Sequence, residues 1–175
     1  MKPLLLIDVD GPLNPYAAKP ERRPDGYETH RARPSGWPGA RPLRLWLNPA
    51  HGAELTRLAD AYELVWATTW RGEANEWIGP HLGLPELPHI EWPSMWGRSP
   101  RGTFWKTQYV LEYAGGRPFA WIDDEITALD REFVERDYLG HALLMTIHPA
   151  LGLTRADFDA LAAWADELGR GGPGG

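Results

Sequence analysis

The sequence predicts an α/β fold, a parallel three-layer sheet with helices on both faces. Three observations carry that reading. Apolar runs at Leu4–Ile7, Leu64–Ala67 and Phe119–Ile122 are unbroken rather than alternating, as in strands covered on both faces. Segments of helical spacing separate these runs, the pattern of βαβ units. A chain of 175 residues, 43% of them hydrophobic, suffices for one domain with a sizeable core.

The first run ends in Asp8-Val9-Asp10-Gly11, a strand that stops at two acids and a turn-forming glycine. Residues 12–47 then form an irregular insert rich in Pro, Gly and Arg. Within it, Tyr27–Arg33 and Leu43–Leu47 are expected to pair as a β-hairpin-like flap. Asn48-Pro49 marks a helix start, a side-chain cap followed by proline in the first turn. Leu55, Leu58, Ala59 and Tyr62 continue that helix. Glu63–Thr69 reads as a strand ending in two hydroxyls. Helix resumes over Glu73–Ile78 and ends in the Gly/Pro cluster Gly79–Pro85, after which Pro88–Trp92 reads as a short strand.

Pro93–Gly102 is a loop. Thr103 is expected to cap a helix reaching about Ala114, stopped by Gly115-Gly116. Lys106 then lies in the first helical turn, where the macrodipole disfavours a cation, so a task other than helix stability is expected of it. Pro118–Asp124 is the next strand, and the following helix sets Ile126, Leu129 and Phe133 on one face. Ala142–Ile147 is the last strand. The final helix opens on a Thr154/Asp157 capping box and turns Phe158, Leu161, Ala162, Ala165 and Leu168 inward. Residues 1–168 thus make a single domain, and 169–175 a disordered tail.

Composition narrows the function. A net charge of -6 argues against a globally basic nucleic-acid binder, although the insert is locally positive, with Arg22, Arg23, Arg31, Arg33, Arg41 and Arg44. The chain has no cysteine, which excludes disulfides and thiolate metal sites. The first apolar run is broken by Asp8 too early for a secretion signal, and no stretch is suited to spanning a membrane. The expected location is cytoplasmic.

The chemistry lies at the strand ends. On a regular strand Asp8 and Asp10 share a face, where two carboxylates repel unless a cation or a shared proton intervenes. Strands ending in Asp8/Asp10, Thr68/Thr69 and Asp123/Asp124, with Lys106 at a helix start, would gather acids, hydroxyls and one ammonium on one rim. Oxygen ligands favour a hard cation such as Mg²⁺. A carboxylate nucleophile suits transfer of a phosphoryl group through an aspartyl-phosphate.

This ordered set resembles the haloacid dehalogenase (HAD) superfamily of phosphohydrolases, with a Rossmann-like fold. Asp8-Val9-Asp10-Gly11 matches its first motif, Thr68 the second, Lys106 the third and Asp123-Asp124 the fourth. The resemblance implies Asp8 as nucleophile and Asp10 as the acid, then base, of the two half-reactions. It implies Thr68 on a phosphoryl oxygen and Lys106 holding the charges of nucleophile and phosphate. Mg²⁺ would be bound by Asp8, the backbone carbonyl of Asp10 and an acid of the Asp123/Asp124 pair. Asp123 is the preferred direct ligand, with Asp124 a ligand or acting through water. An acid at position 10 favours a phosphatase or phosphotransferase, and Pro12 departs mildly from the family pattern.

The insert has room for a flap but no cap domain, so a capless or minimally capped phosphatase is expected. Its substrate would be a phosphorylated small molecule or a nucleic-acid end. Gly11, Thr69, Trp70 and Trp96 are the expected substrate-binding residues, with Trp70, Trp96 and Trp105 able to stack a ring. Two other classes share some of these features: a receiver-type phospho-accepting module and a non-catalytic binding domain of this fold. The order of lysine and acid pairs fits a receiver poorly, and the full set of charged motif positions argues against a mere binding domain.

Overall fold

A computed structural model describes residues 1–35, 37–93, 99 and 102–171. Its main sheet has four parallel strands. β1 (Leu4–Ile7) lies between β4 (Glu63–Trp66) and β5 (Phe119–Asp123), and β6 (Ala142–Thr146) pairs with the far edge of β5. The period of two sends Leu5, Ile7, Leu64, Trp66, Ala120 and Ile122 to one core, and Leu4, Leu6, Val65, Phe119 and Trp121 to the other. Every side chain of β1 is fully buried, each contributing about 2 kcal/mol of hydrophobic stabilisation.

Helices α1 (Pro49–Leu58), α3 (Gly79–Leu82) and α6 (Arg155–Gly171) cover the first core through Leu55, Leu58, Leu82, Phe158 and Leu161. Helices α4 (Thr107–Ala114) and α5 (Ala128–Asp137) cover the second through Val110, Ala114 and Val134. The sheet is therefore the middle of three layers, as expected. The flap strands β2 (Glu28–Ala32) and β3 (Leu43–Leu47) pair antiparallel, and Ala32, Leu45 and Leu47 anchor them in the first core. Asn48 caps α1 by accepting from the Ala50 N–H at 3.0 Å. No described helix is long and apolar enough to cross a membrane.

Several elements differ from expectation, each for a local reason. Pro88–Trp92 forms no strand. A single bridge joins His89 to Trp66, covering the outer edge of β4, because prolines on both sides prevent a ladder. The expected helix at Glu73–Ile78 is a 3-10 turn, Arg71–Glu73, followed by a short α2 (Ala74–Trp77). The Gly79-Pro80 pair starts α3 instead of ending a helix, since proline in a first turn gives up no hydrogen bond. Gly83 in left-handed conformation ends it.

Thr103 caps nothing. Helix α4 starts four residues later, with Lys106 at its N-cap position and no side-chain cap. The segment before it is held by Asp130 of α5, whose buried carboxylate accepts from Phe104 N–H at 2.7 Å and the Thr107 hydroxyl at 2.6 Å. Asp130 also completes a capping box with Thr127. That box turns α5 so that Asp130 and Val134 face inward, while Leu129 points to solvent. In α6 the Thr154/Asp157 pair caps as expected, but Ala162 is exposed, and the helix continues through residues 169–171.

His51 of α1 is 6% exposed, wedged between the rings of Tyr27 and Phe158 at 5.5 and 5.4 Å. Burial lowers its pKa from 6.5 to about 4, against the opposing pull of Glu54 and the Leu153 backbone. Between those values the unfolded chain binds a proton that the folded chain refuses. The contribution is therefore intact above pH 6.5 and lost as pH falls towards 4, by at most about 3 kcal/mol. Urea unfolding at pH 7 and pH 4.5 should show a smaller acid loss in His51→Gln than in the parent. Equal losses in both would remove His51 from the account.

Candidate active site

The rim at the carboxyl ends of the strands is assembled by register. Asp8 follows β1 and stays in line, its N–H donating to Ile122 O at 3.0 Å, which sets it beside Asp123 at the end of β5. On the other side Ala67 N–H reaches Ile7 O at 2.8 Å, and Thr68 is the next residue. Such a crevice beyond the strand ends is where open α/β sheets place ligands.

Lys106, 2% exposed, points its ammonium at both acids, 2.8 Å from Asp123 Oδ2 and 3.2 Å from Asp8 Oδ2. The rings of Phe104, Trp105 and Trp92 surround that ammonium at 5.4, 5.9 and 6.0 Å. The remaining oxygens of the two acids accept backbone N–H groups, Val9 for Asp8 Oδ1 and Glu125 for Asp123 Oδ1, both at 2.9 Å. Asp124 is half-buried, and its Oδ2 accepts from the Tyr16 hydroxyl at 2.8 Å. Asp8, Asp123 and Asp124 each offer an oxygen within 4.8 Å of the others.

Burial pushes the Asp8 carboxyl well above the usual range. Lys106 opposes the shift, while Asp123 and Asp10 add to it. For Lys106 burial works against the charge, yet Asp8 and Asp123 outweigh it and hold the ammonium above its ordinary pKa. Asp124 is also raised, chiefly by burial, with the Tyr16 hydroxyl pulling the other way. Among the described residues, three carboxylates thus face one ammonium. An all-oxygen donor set with excess negative charge fits a hard divalent cation such as Mg²⁺.

Asp10 lies beyond the strand, yet near enough to Asp8 for its charge to raise the Asp8 carboxyl. The strand ends at Ile7 and the chain coils back, with Leu13 and Asn14 N–H groups both donating to Val9 O. The Asp10 carboxylate instead accepts from Asn14 Nδ2 at 2.8 Å and Trp70 Nε1 at 2.9 Å. Its side chain is not one of the three clustered acids.

The expected substrate residues are distributed differently from the sequence reading. Gly11 has φ +93°, and a Cβ there would lie 2.6 Å from Asp124 Cγ, so glycine makes room for that acid. Its N–H donates to Asn14 O at 2.9 Å. Thr68 is fully buried, and its Oγ1 accepts from Trp70 N–H at 3.3 Å. Thr69 is exposed. Trp70 is only 7% exposed, so it presents no face for stacking. Trp105 is half-buried and packs edge-on against Trp92 and Phe104. Trp96 lies outside the described residues.

Sequence reasoning missed Asn14, Tyr16 and Asp130. Only Asp130 had a local signal, the Thr127-x-x-Asp130 capping pattern. Asn14 and Tyr16 acquire their roles from where the turn after β1 lands.

The family described as HAD domain in Swiss Army Knife RNA repair proteins matches residues 4–158. No curated protein and no solved structure matches. Since that family covers most of the chain, including β1, β4, β5 and the polar residues at their ends, the chain belongs to it, and with it to the HAD superfamily of phosphohydrolases.

Proposed function

We propose that this chain removes the terminal phosphate from a polynucleotide, above all an RNA end, by passing the phosphoryl group through Asp8. The observation that carries this reading is the Asp8 carboxylate at the end of a central strand with the Lys106 ammonium 3.2 Å away. A carboxylate oxygen of Asp8 attacks phosphorus, and the bond from phosphorus to the leaving oxygen breaks. Asp10 gives its proton to that oxygen. A water then attacks the same phosphorus, losing its proton to Asp10. The acyl-phosphate bond breaks, Asp8 is regenerated and inorganic phosphate departs.

Lys106 bridges Asp8 and Asp123, keeps the nucleophile in place and offers charge to the equatorial oxygens. The Thr68 hydroxyl and loop N–H groups complete the phosphoryl cradle. Mg²⁺ would be held by Asp8, Asp124 and the Asp10 backbone carbonyl. Asp124 replaces Asp123 as the preferred direct ligand because it is half-buried and open to the crevice, whereas Asp123 is fully buried. When bound, the cation neutralises charge shared by the nucleophile and the phosphoryl oxygens.

Three features support a polynucleotide. The family is described by its occurrence in RNA repair proteins. The flap carries exposed arginines at Arg22, Arg23, Arg31, Arg33 and Arg41, beside a half-buried Arg44 stacked 3.7 Å over Trp46. The Tyr16 ring, 51% exposed, stands beside Asp124, where the nucleotide next to a terminal phosphate would lie. Phosphate release from RNA oligonucleotides with 5′ or 3′ phosphates should exceed that from sugar phosphates by at least about tenfold in kcat/KM, and should stop with EDTA. Preference for a sugar phosphate would overturn the substrate. Absence of Mg²⁺-dependent release from every phosphate tried would overturn the activity.

A further inference from the structure

The grip on Asp10 has a composition that stability alone does not require. A half-buried carboxylate can be satisfied by water, yet both of its oxygens meet protein donors drawn from separate parts of the chain. Asn14, 4% exposed, is itself fixed on every side. Its Oδ1 accepts from Trp46 N–H of β3 at 3.0 Å, its backbone N–H donates to Val9 O, and its carbonyl accepts from Gly11 and Tyr16. Trp70 is buried, and its backbone N–H is tied to the Thr68 hydroxyl. The donors are an amide and an indole, and both are neutral. They fix the plane and direction of the carboxyl without a counter-charge, and each oxygen keeps a second lone pair for a proton.

We infer that Asn14 and Trp70 are positioning residues that hold the Asp10 carboxyl for proton delivery to the leaving oxygen. Through Asn14, the flap strand β3 becomes part of that support. The inference rests on the reading of Asp10 as general acid given above. Neither residue touches substrate. Each acts by keeping the acid within transfer distance, where small displacements are costly.

The test compares kcat/KM, which reports steps up to leaving-group departure, for p-nitrophenyl phosphate and an alkyl phosphate. An alkoxide needs a proton as it leaves, whereas nitrophenolate does not. Trp70→Phe keeps a smaller aromatic ring in place and removes the N–H. In this variant the ratio of aryl to alkyl kcat/KM should rise at least about tenfold over the parent, with KM nearly unchanged. Asn14→Ser should shift the ratio in the same direction, and it carries the test should Trp70→Phe fail to fold. Asp10→Asn sets the upper limit of the shift. Equal losses on both substrates, or a change confined to KM, would overturn the inference and leave the two residues as packing. No leaving-group dependence in Asp10→Asn would instead overturn the acid role of Asp10, and the positioning role would fall with it.

Discussion

Asp8→Asn is expected to lower phosphate release by at least about 10³-fold without weakening the fold, since a side-chain amide is a poor nucleophile at phosphorus. The substitution preserves shape. An amide oxygen at the same place keeps the Val9 N–H contact, and Lys106 retains Asp123 at 2.8 Å. What disappears is one buried negative charge from a trio that faces a single ammonium. Burial already pushes the Asp8 carboxyl upward, so its ionised form is disfavoured in the folded chain. In EDTA, urea unfolding should place Asp8→Asn level with the parent or about 1 kcal/mol above it. Turnover near the parent rate would remove Asp8 as nucleophile. A clear loss of stability would mean that attraction to Lys106 outweighs the cost of burying the charge.

Lys106→Met should abolish activity as well, but with the opposite effect on the fold. The methionine chain fills most of the lysine's volume among Phe104, Trp105 and Trp92, yet Asp8 and Asp123 lose the cation that bridges them. Removing one partner of a buried ion pair leaves the other uncompensated, at a cost of about 3–5 kcal/mol. Because Mg²⁺ would bind Asp8 and its neighbour Asp124 only in the folded state, saturating Mg²⁺ should recover part of that loss. Unfolding midpoints with and without Mg²⁺ provide the measurement. A metal-free Lys106→Met within about 1 kcal/mol of the parent would show that the ammonium does not neutralise the acids in the way its distances indicate.

The sheet and its polar rim were legible because their signals are local. Leu4–Ile7 and Phe119–Ile122 are continuous apolar runs with acids at their ends, and the parallel register does the rest. Lys106 was legible as an electrostatic anomaly, a cation placed where a helix start disfavours it. The orientation of Asp10 was not legible. One of its donors, Trp70, lies 60 residues away, and nothing in the sequence separates an indole that stacks on substrate from one buried with its N–H on a carboxylate. The inward face of α5 was misread because apolar spacing favoured Leu129, whereas the Thr127/Asp130 box fixes the helix by its polar residues. At Gly79-Pro80 the residues that usually break a helix begin one, a distinction set by which turn the proline occupies.

The strand order β4-β1-β5-β6 also governs how the chain reaches this state. β1 is an interior strand of the sheet, and both of its neighbours are encoded far downstream of it. Leu4–Ile7 therefore stays an incompletely covered apolar stripe until β4 and then β5 have been synthesised. Closing contacts over such separations is entropically slow, and a chain in that interval is prone to associate with its own kind. Cover for that stripe on the nascent chain, and not final stability alone, then bears on the yield of folded protein.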